Sequence, residues 1–234
     1  MARKAFVLAA GLGTRLRPLT DDVPKCLLPV GGRPVLAWWI EALAGLGVRE
    51  ALVNTHHKAG QVRSFVAGLS GNPRVRLFHE PELLGSAGTL AANRDFVAGE
   101  EAFWIIYADT LVGADLRPLL ELHERVKPPL TLGLFQCEDP KACGIVELDS
   151  DGRVISFEEK PARPKSDLAA AGVYLAGPEF MGWIRMERGD LGKDVMGRAV
   201  GRAYARMLMG PVVDIGTPAA YERAQALWAG GLRQ

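Results

Sequence analysis

Val7-Leu8-Ala9-Ala10-Gly11-Leu12-Gly13-Thr14-Arg15-Leu16-Arg17-Pro18-Leu19-Thr20 is followed, after Asp21-Asp22-Val23, by Pro24-Lys25-Cys26-Leu27-Leu28-Pro29-Val30. The apolar run over residues 5–10 predicts a buried strand, and the glycines, threonine and arginine that follow predict a loop whose backbone comes close to a ligand. Gly11 and Gly13 are both expected to adopt backbone conformations closed to residues with a side chain. N–H groups freed in such a loop form an anion-binding concavity. Arg15 can grip phosphate oxygens in a fork, and Lys25 adds a point charge. Three prolines, Pro18, Pro24 and Pro29, stiffen the connection. The stretch reads as a polyphosphate cradle at the carboxyl end of the first strand.

Two other phosphate motifs are excluded by spacing. A P-loop needs a second glycine five residues after the first, then Lys and Ser or Thr; Leu16 and Pro18 occupy those places. The dinucleotide fingerprint needs its third glycine where Leu16 stands. A formal net charge of +1 leaves no basic footprint for nucleic acid or an anionic membrane. No apolar run approaches the length of a membrane span. Met1-Ala2-Arg3-Lys4 leads straight into the first strand, so the expected location is the cytoplasm. Cys26, Cys137 and Cys143 lack metal-ligand spacing and are expected to stay reduced.

Short apolar runs alternate with helical patterns, which predicts a parallel sheet with helices on both faces. Strands are expected at 48–54, 75–78, 103–108 and 130–135. Helices are expected from Pro34 to near Gly47 and at 59–69, 86–95 and 116–126. Beyond Phe135 the pattern changes. Asp149-Ser150-Asp151-Gly152 marks a hairpin between strands at 144–148 and 154–157. A strand at 170–176, helices at 179–186 and 191–200, and short strands at 203–209 and 212–214 follow. Thr217-Pro218 opens a last helix, with a Thr cap and Pro in the first turn. The expected organisation is a single domain, with a nucleotide-binding half over about 1–135 and a sugar-phosphate-binding half over about 136–234, around one continuous sheet.

Several residues carry potential chemistry by position. Asp109 follows the apolar run Ile105-Ile106-Tyr107-Ala108, and Asp214 follows Val212-Val213. Carboxylates at the carboxyl edge of an α/β sheet lie where ligands bind, and two of them can share one Mg²⁺. An Asp after a strand serves equally as a turn former or helix cap, and position alone does not choose. Glu159-Lys160-Pro161 reads as a charged strand end or as a binding segment. His56 and His57 read first as packing or solvent-facing residues. No Ser-His-Asp or Cys-His set is present, so no covalent intermediate is indicated.

Taken in order, these segments resemble the nucleotidyltransferases that join a sugar 1-phosphate to a nucleoside triphosphate. Leu8 to Thr20 and Pro24-Lys25 match every fixed position of that family's Leu-Ala-(Ala/Gly)-Gly-x-Gly-(Thr/Ser)-Arg-Leu-x-Pro-Leu-Thr run and its Pro-Lys. Asp109 matches the Asp of a Gly-Asp-x segment, with Ala108 for Gly. Asp214 matches that of Trp-x-Asp-x-Gly-Thr-Pro, with Val212 for Trp. The stretch from Glu80 to Leu90 resembles the base-reading Glu-x-x-Leu-Gly-Thr-Ala-Gly loop. Cys143-Gly144-Ile145-Val146 resembles Tyr-Gly-x-(Val/Ile), Glu159-Lys160-Pro161 resembles Glu-Lys-Pro, and Ala171-Gly172-Val173-Tyr174 resembles the Asn/Thr-x-Gly-x-Tyr segment.

The resemblance implies a Rossmann-like three-layer α/β/α nucleotidyltransferase fold (GT-A-like) with a mixed, mostly parallel central sheet. It implies nucleotide binding by Leu8, Ala9, Ala10, Gly11, Gly13, Thr14, Arg15, Lys25, Glu80, Gly85, Ser86 and Gly88. Gly85 and Gly88 are expected to let a base lie against the backbone. Sugar phosphate falls to Asp109, Gly144, Glu159, Lys160 and Gly172, and Mg²⁺ to Asp109 and Asp214. Arg15, Lys25, Asp109, Lys160 and Asp214 are the expected catalytic set. Glu80 as an ionised acceptor matches the adjacent N1–H and N2 donors of guanine, which favours GTP. The expected activity is a mannose-1-phosphate or heptose-1-phosphate guanylyltransferase. Its competitor is a uridylyl- or thymidylyltransferase on glucose-1-phosphate or N-acetylmuramate-1-phosphate. A cytidylyltransferase on phosphocholine is disfavoured by Glu159-Lys160-Pro161, and a non-catalytic nucleotide-sugar sensor by retention of the catalytic set. Monomer and homodimer stay open.

Overall fold

The computed structural model describes residues 2–229. Their contacts gather into two compact units. The first comprises Arg3–Leu83, Ile106–Asp115 and the described chain from Met209; the second comprises Ala2, Leu84–Ile105 and Leu116–Leu208.

Strand β1 (Lys4–Leu8) buries Ala5, Phe6 and Val7 completely, as its apolar run requires. Two 3₁₀ turns, Thr14–Leu16 and Lys25–Leu27, and one helical turn, α1 (Leu19–Asp22), carry the chain through the loop. A minimal hairpin, β2 (Pro29–Val30) and β3 (Arg33–Pro34), leads into α2 (Val35–Gly45), which Pro34 opens. Strand β4 (Glu50–Thr55), helix α3 (Ala59–Ala67) and strand β5 (Arg74–His79) follow. Helix α4 (Gly85–Ala92) stops earlier than its apolar pattern implies. Asn93 ends it by donating from its side chain to the Thr89 carbonyl at 2.9 Å, and the chain tightens into a 3₁₀ turn at Arg94–Val97. Next come β6 (Phe103–Tyr107), β7 (Thr110–Val112), α5 (Arg117–Val126) and β8 (Leu130–Gln136). Strands β9 (Gly144–Leu148) and β10 (Val154–Glu159) form the expected hairpin, with Asp149 accepting from Asp151 and Arg153 N–H groups in the turn. Then follow β11 (Leu168–Ala176), the single-turn α6 (Pro178–Met181), β12 (Tyr204–Met207), β13 (Val212–Asp214) and α7 (Pro218–Trp228).

In the first unit β1, β4 and β5 stand side by side and parallel, with Val7 opposite Val53 and Val53 opposite Leu77. Strands β7 and β13 pair antiparallel, with Asp214 opposite Thr110. In the second unit β9 and β10 pair antiparallel. Strand β11 pairs antiparallel with β8 and β9, and β8 runs parallel to β12.

Two predicted helices are corrected. The stretch 179–186 forms only one helical turn, because Gly182 caps it at once. The stretch 191–200 is a π turn, Leu191–Val195, followed by a 3₁₀ turn, Met196–Ala199. Asp190 opens the π turn by accepting from the Lys193 N–H at 3.1 Å. The three cysteines are free thiols, and burial pushes Cys26 up to about 12, away from thiolate chemistry. No helix among the described residues is long and apolar enough to cross a membrane.

Candidate functional site

The loop after β1 is fixed by side chains rather than by the sheet ladder. Ala9 donates its N–H to Asn54 Oδ1 at 2.6 Å. Gly13 has φ 67°, in the left-handed region, and a Cβ there would lie 2.8 Å from Thr20 Cγ2. The Thr20 hydroxyl donates to the Gly13 carbonyl at 2.8 Å and holds the bend. Gly11 differs from expectation. Its φ lies outside the left-handed region, and a Cβ would meet nothing within 4 Å. Neither the backbone nor the packing around it requires a glycine at that position.

Lys25 leaves the 3₁₀ turn after Pro24 with its side chain buried, and its ammonium reaches two carboxylates. Nζ lies 2.8 Å from Asp109 Oδ2 and 3.4 Å from Asp214 Oδ1. The pairing of β7 with β13 brings these acids together, and the Ile215 N–H donates to the Asp109 carbonyl at 2.9 Å. Arg15 belongs to the same cluster: a Cβ on Gly216 would lie 2.7 Å from its guanidinium nitrogen and 3.0 Å from Asp214 Oδ1. The protein packed around Asp214 raises its carboxyl above the usual range. The Asp109 charge adds to that rise, and Lys25 and Arg15 oppose it. Two carboxylates facing one cation make a donor set that suits a hard divalent ion completed by water and phosphate oxygens. Among the described residues, no group of three or more His, Cys, Asp or Glu forms an all-protein cage.

Glu80 lies just past β5 in the same unit and is 1% exposed. Its Oε1 accepts from Asn54 Nδ2 at 2.8 Å, and its carbonyl lies 2.7 Å from His56 Nδ1. The other histidine of that pair, His57, approaches the Thr20 carbonyl at 3.2 Å.

The remaining predicted residues belong to the second unit. Gly85 has φ 75°, and a Cβ there would lie 2.3 Å from the Gly189 carbonyl oxygen; one on Gly88 would lie 2.5 Å from that of Glu187. Close passage of the 187–189 segment explains both glycines without a base. Ser86 donates to Asp190 at 3.1 Å and accepts from the Leu191 N–H at 2.7 Å, which ties the start of α4 to the π turn. Glu159 stands between two glycines: a Cβ on Gly144 would lie 2.9 Å from its Oε2, and one on Gly192 2.6 Å. Burial raises the Glu159 carboxyl. Lys160 draws it back, Asp190 adds to the rise, and Lys193 opposes it. Lys160 has φ 50°, unusual for a residue with a side chain, and its N–H donates to the Cys143 carbonyl at 2.9 Å. Its ammonium is 3.9 Å from Glu159 Oε1. Gly172, with φ 68°, sits where the β11–β8 register shifts.

Sequence reasoning did not single out Asn54, Asp190, Gly192 or Gly216. Asn54 was visible only as a polar residue ending an apolar strand, and Gly216 only as part of Asp214-Ile215-Gly216-Thr217-Pro218.

The family profile described as Nucleotidyl transferase matches residues 4–229. Mannose-1-phosphate guanylyltransferase catalytic subunit beta of Drosophila pseudoobscura pseudoobscura is 30% identical over 99% of this chain and 64% of its own length. Glucose-1-phosphate thymidylyltransferase of Streptomyces griseus is 36% identical over 75% of this chain and 49% of its own length. The chain therefore spans less than two thirds of these relatives. A Bacillus anthracis structure described as "a Putative Glucose-1-Phosphate Thymidylyltransferase" in complex with a sucrose matches with a TM-score of 0.84 and 27% identity, over 97% of this chain and 95% of that one. HddC of Yersinia pseudotuberculosis, complexed with GMP-PN, matches with a TM-score of 0.80 at 24% identity, over 96% and 98% of the two chains, and speaks to the fold alone.

Proposed function

Because this chain belongs to the nucleotidyl transferase family and has its GT-A-like α/β fold, we propose that it joins a nucleoside triphosphate to a sugar 1-phosphate and releases pyrophosphate. One observation carries this reading: the Lys25 ammonium, 2.8 and 3.4 Å from Asp109 and Asp214, with the Arg15 guanidinium beside Asp214. The reaction brings two polyanions together, so fixed positive charge has to be in place before chemistry. Arg15 grips the departing pyrophosphate, and Lys25 steadies charge on the α-phosphate. Asp109 and Asp214 hold Mg²⁺. The ion, when bound, supplies Lewis-acid neutralisation of phosphate oxygens. Lys160 holds the sugar phosphate, and Glu159 accepts from sugar hydroxyls. The attacking phosphate oxygen is already ionised, so no general base is required. Rate comes from positioning and preorganised charge.

GTP and a manno-configured sugar 1-phosphate, mannose or heptose, are the proposed pair. Relatives named for that activity align with 99% of the chain at 30% identity, which supports this pair; thymidylyltransferase relatives align with 75% and 78% at higher identity, 36% and 34%, so thymidylyl transfer to glucose 1-phosphate is the second reading. A cytoplasmic site of action, where nucleoside triphosphates are supplied, is part of this proposal. The test is a matrix of four nucleoside triphosphates against a panel of sugar 1-phosphates with Mg²⁺, scored by pyrophosphate release. GTP with mannose or heptose 1-phosphate should give the highest kcat/KM. Higher values with UTP or dTTP and a glucose-type sugar would replace that pair, and silence across the matrix would end the transferase reading.

A further inference from the structure

A single line of side-chain contacts crosses the carboxyl ends of three adjacent parallel strands. At the end of β1, Ala9 leaves the ladder, and its N–H goes to Asn54 Oδ1 at 2.6 Å in place of a main-chain acceptor. Asn54 sits near the end of β4, and its amide nitrogen donates to Glu80 Oε1 at 2.8 Å. Glu80 follows β5, and its own N–H donates to the Thr55 carbonyl at 2.8 Å. Asn54 and Glu80 are 4% and 1% exposed. Contacts of this kind in a dry site are stiff, because a partner lost there is not replaced by water.

We propose that Asn54 and Glu80 are a positioning pair for the nucleotide loop. Glu80 orients the Asn54 amide so that its oxygen faces Ala9. Asn54 then fixes the point at which the chain turns from β1 into Ala10-Gly11-Leu12-Gly13. Glu80 serves the nucleotide through Asn54 instead of reading the base. This rests on the assignment of that loop to the triphosphate. Its consequence differs from that of a base reader, since a misplaced loop weakens every nucleotide equally.

Affinities of the full chain for ATP, GTP, CTP and UTP with Mg²⁺ test the pair by calorimetry, with pyrophosphate release from the same nucleotides and the panel of sugar 1-phosphates recorded in parallel. Asn54→Ala and Glu80→Ala should each weaken all four nucleotides by a similar factor, about tenfold, as expected when a buried partner is removed. The double variant should be no weaker than the worse single one, because both act on one contact. Asn54→Asp sets two carboxylates against each other and should also weaken binding. Adding Glu80→Gln to it restores one amide donor facing one carboxylate. The carboxylate at position 54 still accepts from the Ala9 N–H, so most of the affinity should return. That rescue also separates positioning from a simple loss of fold. A changed order of base preference in Glu80→Ala but not in Asn54→Ala would overturn the proposal, as would losses that multiply or a swap that rescues nothing. A wild-type chain that binds nucleotides without releasing pyrophosphate would refute the transferase reading and leave the pair standing. A chain that binds none would refute both.

Discussion

At the scale of residues, one lysine does what two aspartates require. Lys25 is almost fully buried, while the Asp109 and Asp214 side chains keep 38% and 56% of their exposure. Solvent therefore screens part of the repulsion between the acids, and Lys25, with Arg15 beside Asp214, offsets the rest. Lys25→Met should cost about 1–2 kcal/mol of stability, below the range for a fully buried pair, and should weaken nucleotide binding as well. Urea unfolding checks the first and calorimetry the second; unchanged values in both would remove Lys25 from the cluster. Gly13→Ala meets a left-handed φ of 67° and a Thr20 methyl at 2.8 Å, so it should lose about 1–2 kcal/mol. A thermal midpoint equal to wild type would show that the bend is not needed. Arg15, Lys25, Asp109 and Asp214 were legible in the sequence because each is a charged residue in a motif of small or apolar neighbours. Asn54 and Gly216 were not, because their partners lie far along the chain. Asn54 meets Ala9 across 45 positions, and no local pattern announces such a pairing.

At the scale of elements, buried strands were readable and irregular turns were not. β1, β4, β6 and β8 lie within a residue or two of their apolar runs, since burial selects the same residues that periodicity counts. The segments 179–186 and 191–200 carry helical patterns, yet Gly182 and the Asp190 cap reduce them to short turns. Helix α5 carries a prediction of its own. His123 faces β8, with Nδ1 2.8 Å from Thr131 Oγ1. Burial lowers its pKa from 6.5 to about 4, against the opposing charge of Glu124. The folded chain keeps His123 neutral where the unfolded chain binds a proton. Stability is therefore lost as pH falls from about 6.5 toward 4, with a slope of up to about 1.4 kcal/mol per pH unit from this residue, and the loss levels off below that window. His123→Gln, which keeps a partner for Thr131, should flatten that segment of the stability curve. Urea unfolding at several pH values checks it, and identical curves for the two proteins would show that His123 is not the source.

At the scale of the whole molecule, the chain passes between its two compact units several times. It leaves the first after Leu83, returns at Ile106, leaves after Asp115 and returns at Met209. Asp109 and Asp214 lie on those two returns, and each is delivered to Lys25 by a short strand, β7 or β13, close beside it. The sequence carries no linker composition at the crossings, which explains why an alternation of strands and helices reveals the fold class and not the division of contacts. In the proposed function, the cluster of Arg15, Lys25, Asp109 and Asp214 works on a magnesium-bound triphosphate. Pyrophosphate release from GTP and mannose 1-phosphate, measured side by side for wild type and Asp109→Asn in saturating Mg²⁺, tests it most directly. Wild type should turn over steadily and the variant at a rate at least about a hundredfold lower, with the variant still folded at the assay temperature. Near-equal rates for the two would contradict it.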